Sequence, residues 1–106
     1  MGNEFQLNYY QLMAKIVSNL SSLQAILQEQ TYNHEAFGSW WFMFTKQGQK
    51  YRVVFDGRDR FLRIEEPLLD KNYKRIVDWN SLGAIQSLSD ESIGEDVVLL
   101  IKQYSK

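Results

Sequence analysis

The spacing of the apolar residues changes near Gly38, and this change limits the possible folds more than any other feature of the sequence. Before it, apolar residues recur in steps of three and four, which is typical of one face of a helix. After it, they occupy alternate positions, which is typical of β-strands. The chain has 106 residues, of which 44% are apolar and 14% aromatic, enough for one packed core. We therefore predict a single α+β domain over residues 1–106.

Residues 4–30 predict a long N-terminal helix. Its apolar stripe consists of Tyr9, Met13, Ile16, Leu20, Leu23 and Leu27. Neither proline nor glycine occurs between residues 4 and 30, so no sequence signal ends the helix earlier. The periodicity stops at Tyr32, and Gly38 marks the exit from the segment.

The next segment predicts three antiparallel strands. They cover residues 40–45, 51–55 and 61–65, joined by turns at Gln47–Gly48 and Asp56–Gly57. An Asp-Gly pair is a frequent hairpin turn, and we expect Gly57 to take the positive φ that such a turn requires. Pro67 lacks a backbone donor, so it is expected to end the third strand.

Residues 73–79 alternate in apolar character and fit a fourth strand. After them, Asn80 or Ser81 is suited to cap a short helix. The apolar residues of that helix would be Leu82, Ile85 and Leu88. Gly83 lowers the helix propensity of this segment.

Residues 93–104 predict a C-terminal helix, because Ser92 and Glu95 form a capping-box pattern and apolar residues follow at helical spacing. The continuous apolar run Val97–Ile101 also fits a buried strand, and the cap favours the helix. The expected architecture is a long N-terminal helix, an antiparallel meander of three or four strands, and C-terminal helices packed on one face of the sheet.

The first predicted strand has two apolar faces. Alternation places Trp40, Phe42 and Phe44 on one side, and Trp41 and Met43 on the other. Helices that cover only one side of the sheet would leave the other side available to a partner.

Composition excludes several classes of protein. The chain has no cysteine, which excludes a disulfide scaffold, a thiolate metal site and a cysteine nucleophile. No apolar run reaches the roughly 18 residues that span a bilayer, and no secretory signal is visible, so we expect a cytoplasmic protein. A net charge of -1 gives no overall attraction to nucleic acid, although residues 46–63 carry six basic and two acidic residues, a local charge of +4.

The sequence contains no motif for catalysis or for a cofactor, such as a Walker loop, GxGxxG or HExxH. His34 is the only histidine, and we expect it to be an ordinary surface or cap residue. Glu65 and Glu66 are adjacent on a predicted strand, so they point to opposite faces and would not converge on one substrate atom. We therefore expect no enzyme activity, no metal, no cofactor and no small-molecule substrate.

The stretch GSWWFMFTKQGQKYRVVFDGRDRFLRIEE, residues 38–66, resembles small immunity proteins that accompany bacterial polymorphic toxins, including those of contact-dependent growth inhibition systems. The resemblance covers residues 5–104 as an architecture, with an N-terminal helix and an aromatic-rich meander that ends in an acidic strand. It implies a cytoplasmic antidote that binds one cognate toxin domain, commonly a nuclease, without chemistry of its own. No family motif carries over residue by residue, so the resemblance assigns no site residue.

The residues themselves predict two halves of a protein-binding site. Trp41, on the uncovered face, and Trp79, beside a turn, form the apolar half, because tryptophan is frequent at binding hot spots. The electrostatic half would meet a basic nuclease surface with the carboxylates of Glu65, Glu66, Asp70, Asp90 and Glu91. The last two also fit the acidic start of a helix.

Two other functions stay open. Residues 40–63 could bind nucleic acid through exposed aromatic rings and the side chains of Arg52, Arg58, Arg60 and Arg63. A secretion or assembly chaperone would instead hold a client segment by strand addition. Packing of the same aromatic residues beneath the N-terminal helix opposes the nucleic-acid alternative. The sequence also leaves a homodimer open.

Overall fold

The structure, a computed structural model, describes residues 2–33, 38–72, 74–86 and 92–105, with side chains from Tyr9 onward. The elements are α1 (Gly2–Ser22), β1 (Ala25–Asn33), β2 (Ser39–Lys46), β3 (Gln49–Asp56), β4 (Phe61–Leu69), β5 (Ile76–Gln86) and α2 (Ile93–Tyr104). The strands form one antiparallel sheet in the order β1-β2-β3-β4-β5. The predicted α+β class and the meander are confirmed, with five strands among the described residues in place of three or four.

The helices lie on one face of the sheet, as the sequence predicts. α1 contacts β1 and α2, and α2 contacts β4 and β5. The sheet residues buried with them are Ala25, Trp40, Phe42, Phe44, Tyr51, Val53, Phe55, Leu62 and Ile64. The helices contribute Tyr9, Met13, Ile16, Leu20, Ile93, Val97, Leu100 and Ile101 to the same core. We call the side that faces this core the inner face and the opposite side the outer face.

Aromatic contacts fix α1 against β1. The Tyr9 ring lies 4.6 Å from the Tyr32 ring, and the Tyr9 hydroxyl donates to Oε1 of Gln30 at 2.8 Å. Burial, with a smaller contribution from the neighbouring Tyr10, raises the pKa of Tyr9 to about 12. The phenol of Tyr9 is therefore neutral at physiological pH and acts as a hydrogen-bond donor between the two elements.

The N-terminal helix ends earlier than the sequence predicts. α1 stops at Ser22, and residues 25–33, which were expected to be partly helical, form the edge strand β1. Gln24 takes a left-handed conformation with φ of 60°, so the reversal that glycine usually makes is made here by a glutamine. The helical prediction beyond Ser22 was wrong because pairing with the aromatic strand β2 outweighs local spacing.

The segment predicted as a short helix around Leu82 is part of β5, so α2 is the only C-terminal helix among the described residues. A register shift opposite Ile64 and Glu65 inserts Leu82 as an extra residue, which changes the alternation of the strand. Leu82 and Ile85 therefore both pack against the core although they are three residues apart. The bulge produces the three-residue step that resembles helical spacing. Leu88 lies outside the described residues.

The fourth strand was predicted over residues 73–79, but β5 runs from Ile76 to Gln86. Pro67 does not end its strand, because β4 continues to Leu69 with Pro67 in register opposite Trp79. β3 pairs with β4 only as far as Glu65. At Pro67, β4 is therefore paired with β5 alone. A proline is tolerated at such an edge because its missing donor leaves no ladder bond unmade.

The two predicted hairpin turns are confirmed in position. Gln47 and Gly48 join β2 to β3, both with positive φ, as a two-residue hairpin turn requires. In the turn after β3, the left-handed residue is Arg60 with φ of 55°, whereas Gly57 was expected in that role. The carboxylate of Asp56 accepts the backbone N–H groups of Arg58 and Asp59 and holds this turn.

α2 confirms the helix predicted over residues 93–104. Ser92 occupies the N-cap position, but its side chain makes no capping hydrogen bond to the backbone. Its hydroxyl instead donates to Oδ2 of Asp96 at 3.3 Å. In the described part of the chain, neither helix combines the length and the apolar character needed to cross a bilayer.

Gly83 gives the first testable prediction, because the ring of Tyr104 lies directly over it. A Cβ atom at position 83 would come within 2.3 Å of two ring carbons of Tyr104. We expect Gly83→Ala to lower the free energy of unfolding by about 1–2 kcal/mol, measured by urea unfolding. Gly94→Ala is the control, because a Cβ atom there would lie 3.4 Å from its nearest neighbour, without a clash. Gly94 also lies in α2, and alanine has a higher helix propensity than glycine. Equal stabilities of the two variants would contradict the close contact.

Candidate functional site

The outer face of the sheet contains the tryptophan that strand alternation placed there. The strand register forms one cross-strand row of Trp41, Val54, Arg63 and Ala84. A second row consists of Met43, Arg52, Glu65 and Ser81. Trp41, Met43 and Val54 are all partly exposed, whereas the inner-face residue Trp40 is 4% exposed. The outer face therefore presents apolar side chains from β2 and β3 that no described helix covers.

Arg52 lies between the two predicted tryptophans. Its guanidinium carbon Cζ lies 4.3 Å from the centroid of the Trp79 ring and 6.0 Å from that of Trp41. Both distances are in the range in which a cation is attracted to the face of an aromatic ring. The structure thus brings Trp41 and Trp79 to one place, although they belong to strands that are not neighbours. Trp79, expected beside a turn, lies within β5.

Glu65 completes this group by pairing with Arg52. Nε of Arg52 donates to Oε1 of Glu65 at 2.8 Å, and Nη2 lies 2.6 Å from the same oxygen. Nε of Arg63 lies 3.7 Å from the other carboxylate oxygen, Oε2, which is beyond hydrogen-bond distance. Glu65 is 7% exposed, so its charge is largely withdrawn from solvent and neutralised within the chain. We call Trp41, Arg52, Glu65 and Trp79 the Arg52 cluster.

Two of the other predicted acidic residues, Glu66 and Asp70, lie along the β4–β5 hairpin, outside the Arg52 cluster. Oε1 of Glu66 accepts a hydrogen bond from Nδ2 of Asn80 at 3.2 Å. Oδ1 of Asp70 accepts the backbone N–H of Asn72 at 2.7 Å, so this carboxylate holds the hairpin turn. Close to that turn the hairpin exposes Leu68, Leu69, Ile76 and Val77. Near its end the hairpin is therefore apolar, and its three basic residues, Lys71, Lys74 and Arg75, outnumber the one acidic residue, Asp70.

Three predicted residues cannot be placed. Asp90 and Glu91, expected in the electrostatic half of the site, and His34 lie outside the described residues. In the described part of the chain, no three side chains of His, Cys, Asp or Glu are grouped so that they could hold a metal ion.

As a binding residue, Arg52 was predicted for the alternative nucleic-acid site, whereas the structure places it at the centre of the Arg52 cluster. Its position follows from two features that a sequence does show: alternation from the buried Tyr51 and Val53, and the hairpin that sets Arg52 opposite Glu65. Met43 and Val54 extend the same face. Their role depends on the helices covering only the inner face, which no local pattern determines.

The arrangement provides groups for recognition on the outer face of the sheet: two indole rings, aliphatic side chains and guanidinium donors. Indole rings combined with arginine are the residue types most often found at binding hot spots. Comparison with protein-family models, with curated proteins and with solved structures finds no match to this chain. The interpretation of the site therefore depends on its own geometry.

Proposed function

We propose that this chain is an immunity protein that binds a cognate bacterial toxin domain and neutralises it by protein–protein contact through the outer face of its sheet. The observation that carries the proposal is the Arg52 cluster, in which two partly exposed tryptophans flank one arginine. The toxin as the kind of partner, and a nuclease as its class, are supported by the sequence resemblance alone.

The outer face has the composition of a binding surface. The centre of an interface is typically aromatic and rich in arginine, with few unpaired charges. Here the charge of Arg52 is matched by Glu65, and the surrounding positions are Met43 and Val54. A monomer that presented such a face to water without a partner would expose apolar area at a cost in free energy.

The experiment first asks whether a gene adjacent to this one encodes a secreted protein with a C-terminal toxin domain, and then mixes that domain with the purified chain. We expect a complex at micromolar concentration, and Trp79→Ala is expected to weaken it at least tenfold, about 1.4 kcal/mol, in a calorimetric titration. Leu99→Ala is the matched control, because Leu99 is 54% exposed on α2, away from the outer face. Absence of a complex with the unmodified chain at micromolar concentration would overturn the proposal.

Protein binding is favoured over nucleic-acid binding because most aromatic rings of residues 40–63 belong to the core. Trp40, Phe42, Phe44, Tyr51 and Phe55 are each at most 6% exposed. Bases stack on exposed rings, so these five residues offer no surface for stacking. If RNA bound the chain at low salt and dissociated steeply as the salt concentration rose, the nucleic-acid alternative would be preferred.

Strand addition by a client is the third candidate. It is disfavoured at the edge strand β1, where a register shift leaves Gln28 as an extra residue, and at the opposite edge strand, β5. Register shifts leave Val77 and Leu82 as extra residues in this strand. Bulges twist an edge strand and interrupt its regular row of hydrogen-bonding groups. The backbone N–H of Trp79 is bonded to the carboxylate of the adjacent Asp78 at 2.8 Å.

A further inference from the structure

The guanidinium of Arg52 has more donors than its ion pair uses. Nε and Nη2 both point to one oxygen of Glu65, at 2.8 and 2.6 Å. Among the described residues, no hydrogen-bond acceptor pairs with Nη1, whose two N–H groups remain available. The Arg52 side chain is 23% exposed, so a group from outside the chain can approach it.

The charge around these donors is positive. Arg52 and Arg63 both pair with Glu65, so this group of three residues carries a local charge of +1. The side chain of Arg63 is 44% exposed, and its one contact with Glu65 is long, at 3.7 Å. Lys50 is exposed one row away on the same face, whereas Glu29 lies on the edge strand β1, opposite Met43. Asp56 lies on the same face at the end of β3, where its carboxylate accepts backbone N–H groups of the following turn. Arg52 and Arg63 therefore lie towards the centre of the face, and the carboxylates of Glu29 and Asp56 lie at its margins.

We infer that the outer face binds an acidic protein segment that presents an Asp or Glu side chain to Arg52 and Arg63. The inference rests on the proposed function, and it specifies the partner's chemistry at the same site. The ring of Trp79, 4.3 Å from the guanidinium carbon, covers part of the Arg52 side chain, and partial shielding from water strengthens a charge-assisted hydrogen bond to a carboxylate. Apolar residues beside that carboxylate would contact Trp41 and Met43.

This charge pattern is opposite to the one that the sequence suggested. The free carboxylates of this chain were expected to meet a basic nuclease, but Glu65 is already paired with Arg52. A nuclease held by the outer face would therefore offer an acidic surface and not the basic surface that holds its phosphates. Inhibition would then follow from docking beside the nuclease active site.

The test uses a phage library of short random peptides, selected on the immobilised full chain. We expect the selected peptides to contain more Asp and Glu than Lys and Arg. Their dissociation constants, measured by tryptophan fluorescence, should rise about fivefold or more with Arg63→Glu. Lys102→Glu makes the same charge change on an exposed residue of α2 and is expected to leave them unchanged. Arg63 is exposed, so its replacement should leave the fold intact, which circular dichroism checks.

Selection of basic or uncharged peptides, selection of none, or an equal effect of Arg63→Glu and Lys102→Glu would overturn the inference. A toxin domain that binds the unmodified chain and loses affinity with Trp79→Ala, but not with Arg63→Glu, would overturn the inference and support the proposed function. If the chain selected acidic peptides but bound no toxin domain, the result would support the inference and overturn the proposed function.

Discussion

Replacing Phe42 with alanine is expected to lower the free energy of unfolding by about 3–5 kcal/mol. Phe42 is completely buried at the centre of β2, with the rings of Trp40 and Phe44 each 6.0 Å away on the inner face. Removing its ring leaves a cavity in the core. The surrounding strands and helices cannot fill that cavity without moving the neighbouring rings. A domain of this size has a total stability of roughly 5–15 kcal/mol, so this loss is a large fraction of the total.

Phe61→Ala is the matched control for Phe42→Ala. Phe61 is also on a strand of the sheet but is 42% exposed, so its loss removes less buried area and creates no cavity. Urea unfolding followed by circular dichroism should show the midpoint of Phe42→Ala well below that of Phe61→Ala. Similar midpoints for the two variants would mean that the aromatic inner face is not the centre of the core.

The elements with an uninterrupted period were predictable from the sequence, and the bulged ones were not. β2, β3 and α2 each keep one period, so their buried residues follow from spacing alone. β1 contains one register shift and β5 contains two, and each shift adds a residue that changes the alternation in mid-strand. As a result, the core-facing residues Leu82 and Ile85 are three positions apart, as they would be in a helix, although both lie in a strand.

The candidate site was predictable to a similar degree. Alternation alone places Trp41 opposite to the buried Trp40. Trp79 reaches Arg52 because β5 pairs with β4 along its length, which depends on Pro67 being tolerated opposite Trp79. Glu65 was predicted in the electrostatic half of the site, and the register that buries it beside Arg52 is a tertiary feature. Sequence patterns therefore indicate the face, while strand register determines the group on it.

Glu65→Ala is expected to lower the free energy of unfolding by about 2–3 kcal/mol, because it leaves Arg52 without its counter-charge between two indole rings. The side chain of Glu65 is 9% exposed and accepts two donors of Arg52 on one oxygen. Glu65→Gln retains an oxygen acceptor without the charge, and we expect an intermediate loss. Glu66→Ala is the control at the adjacent position, where an exposed hydrogen bond to Asn80 is removed, and it should cost at most about 0.5 kcal/mol.

A double-mutant cycle separates this ion pair from other effects of the substitution. If Arg52 and Glu65 stabilise each other, Glu65→Ala should cost much less when Arg52 is already alanine, and the coupling free energy should reach about 1–2 kcal/mol. That coupling should persist at high salt, because Glu65 is nearly buried and an exposed pair would be screened. A coupling near zero, or one that salt removes, would mean that Arg52 is held by Trp41 and Trp79 without help from Glu65.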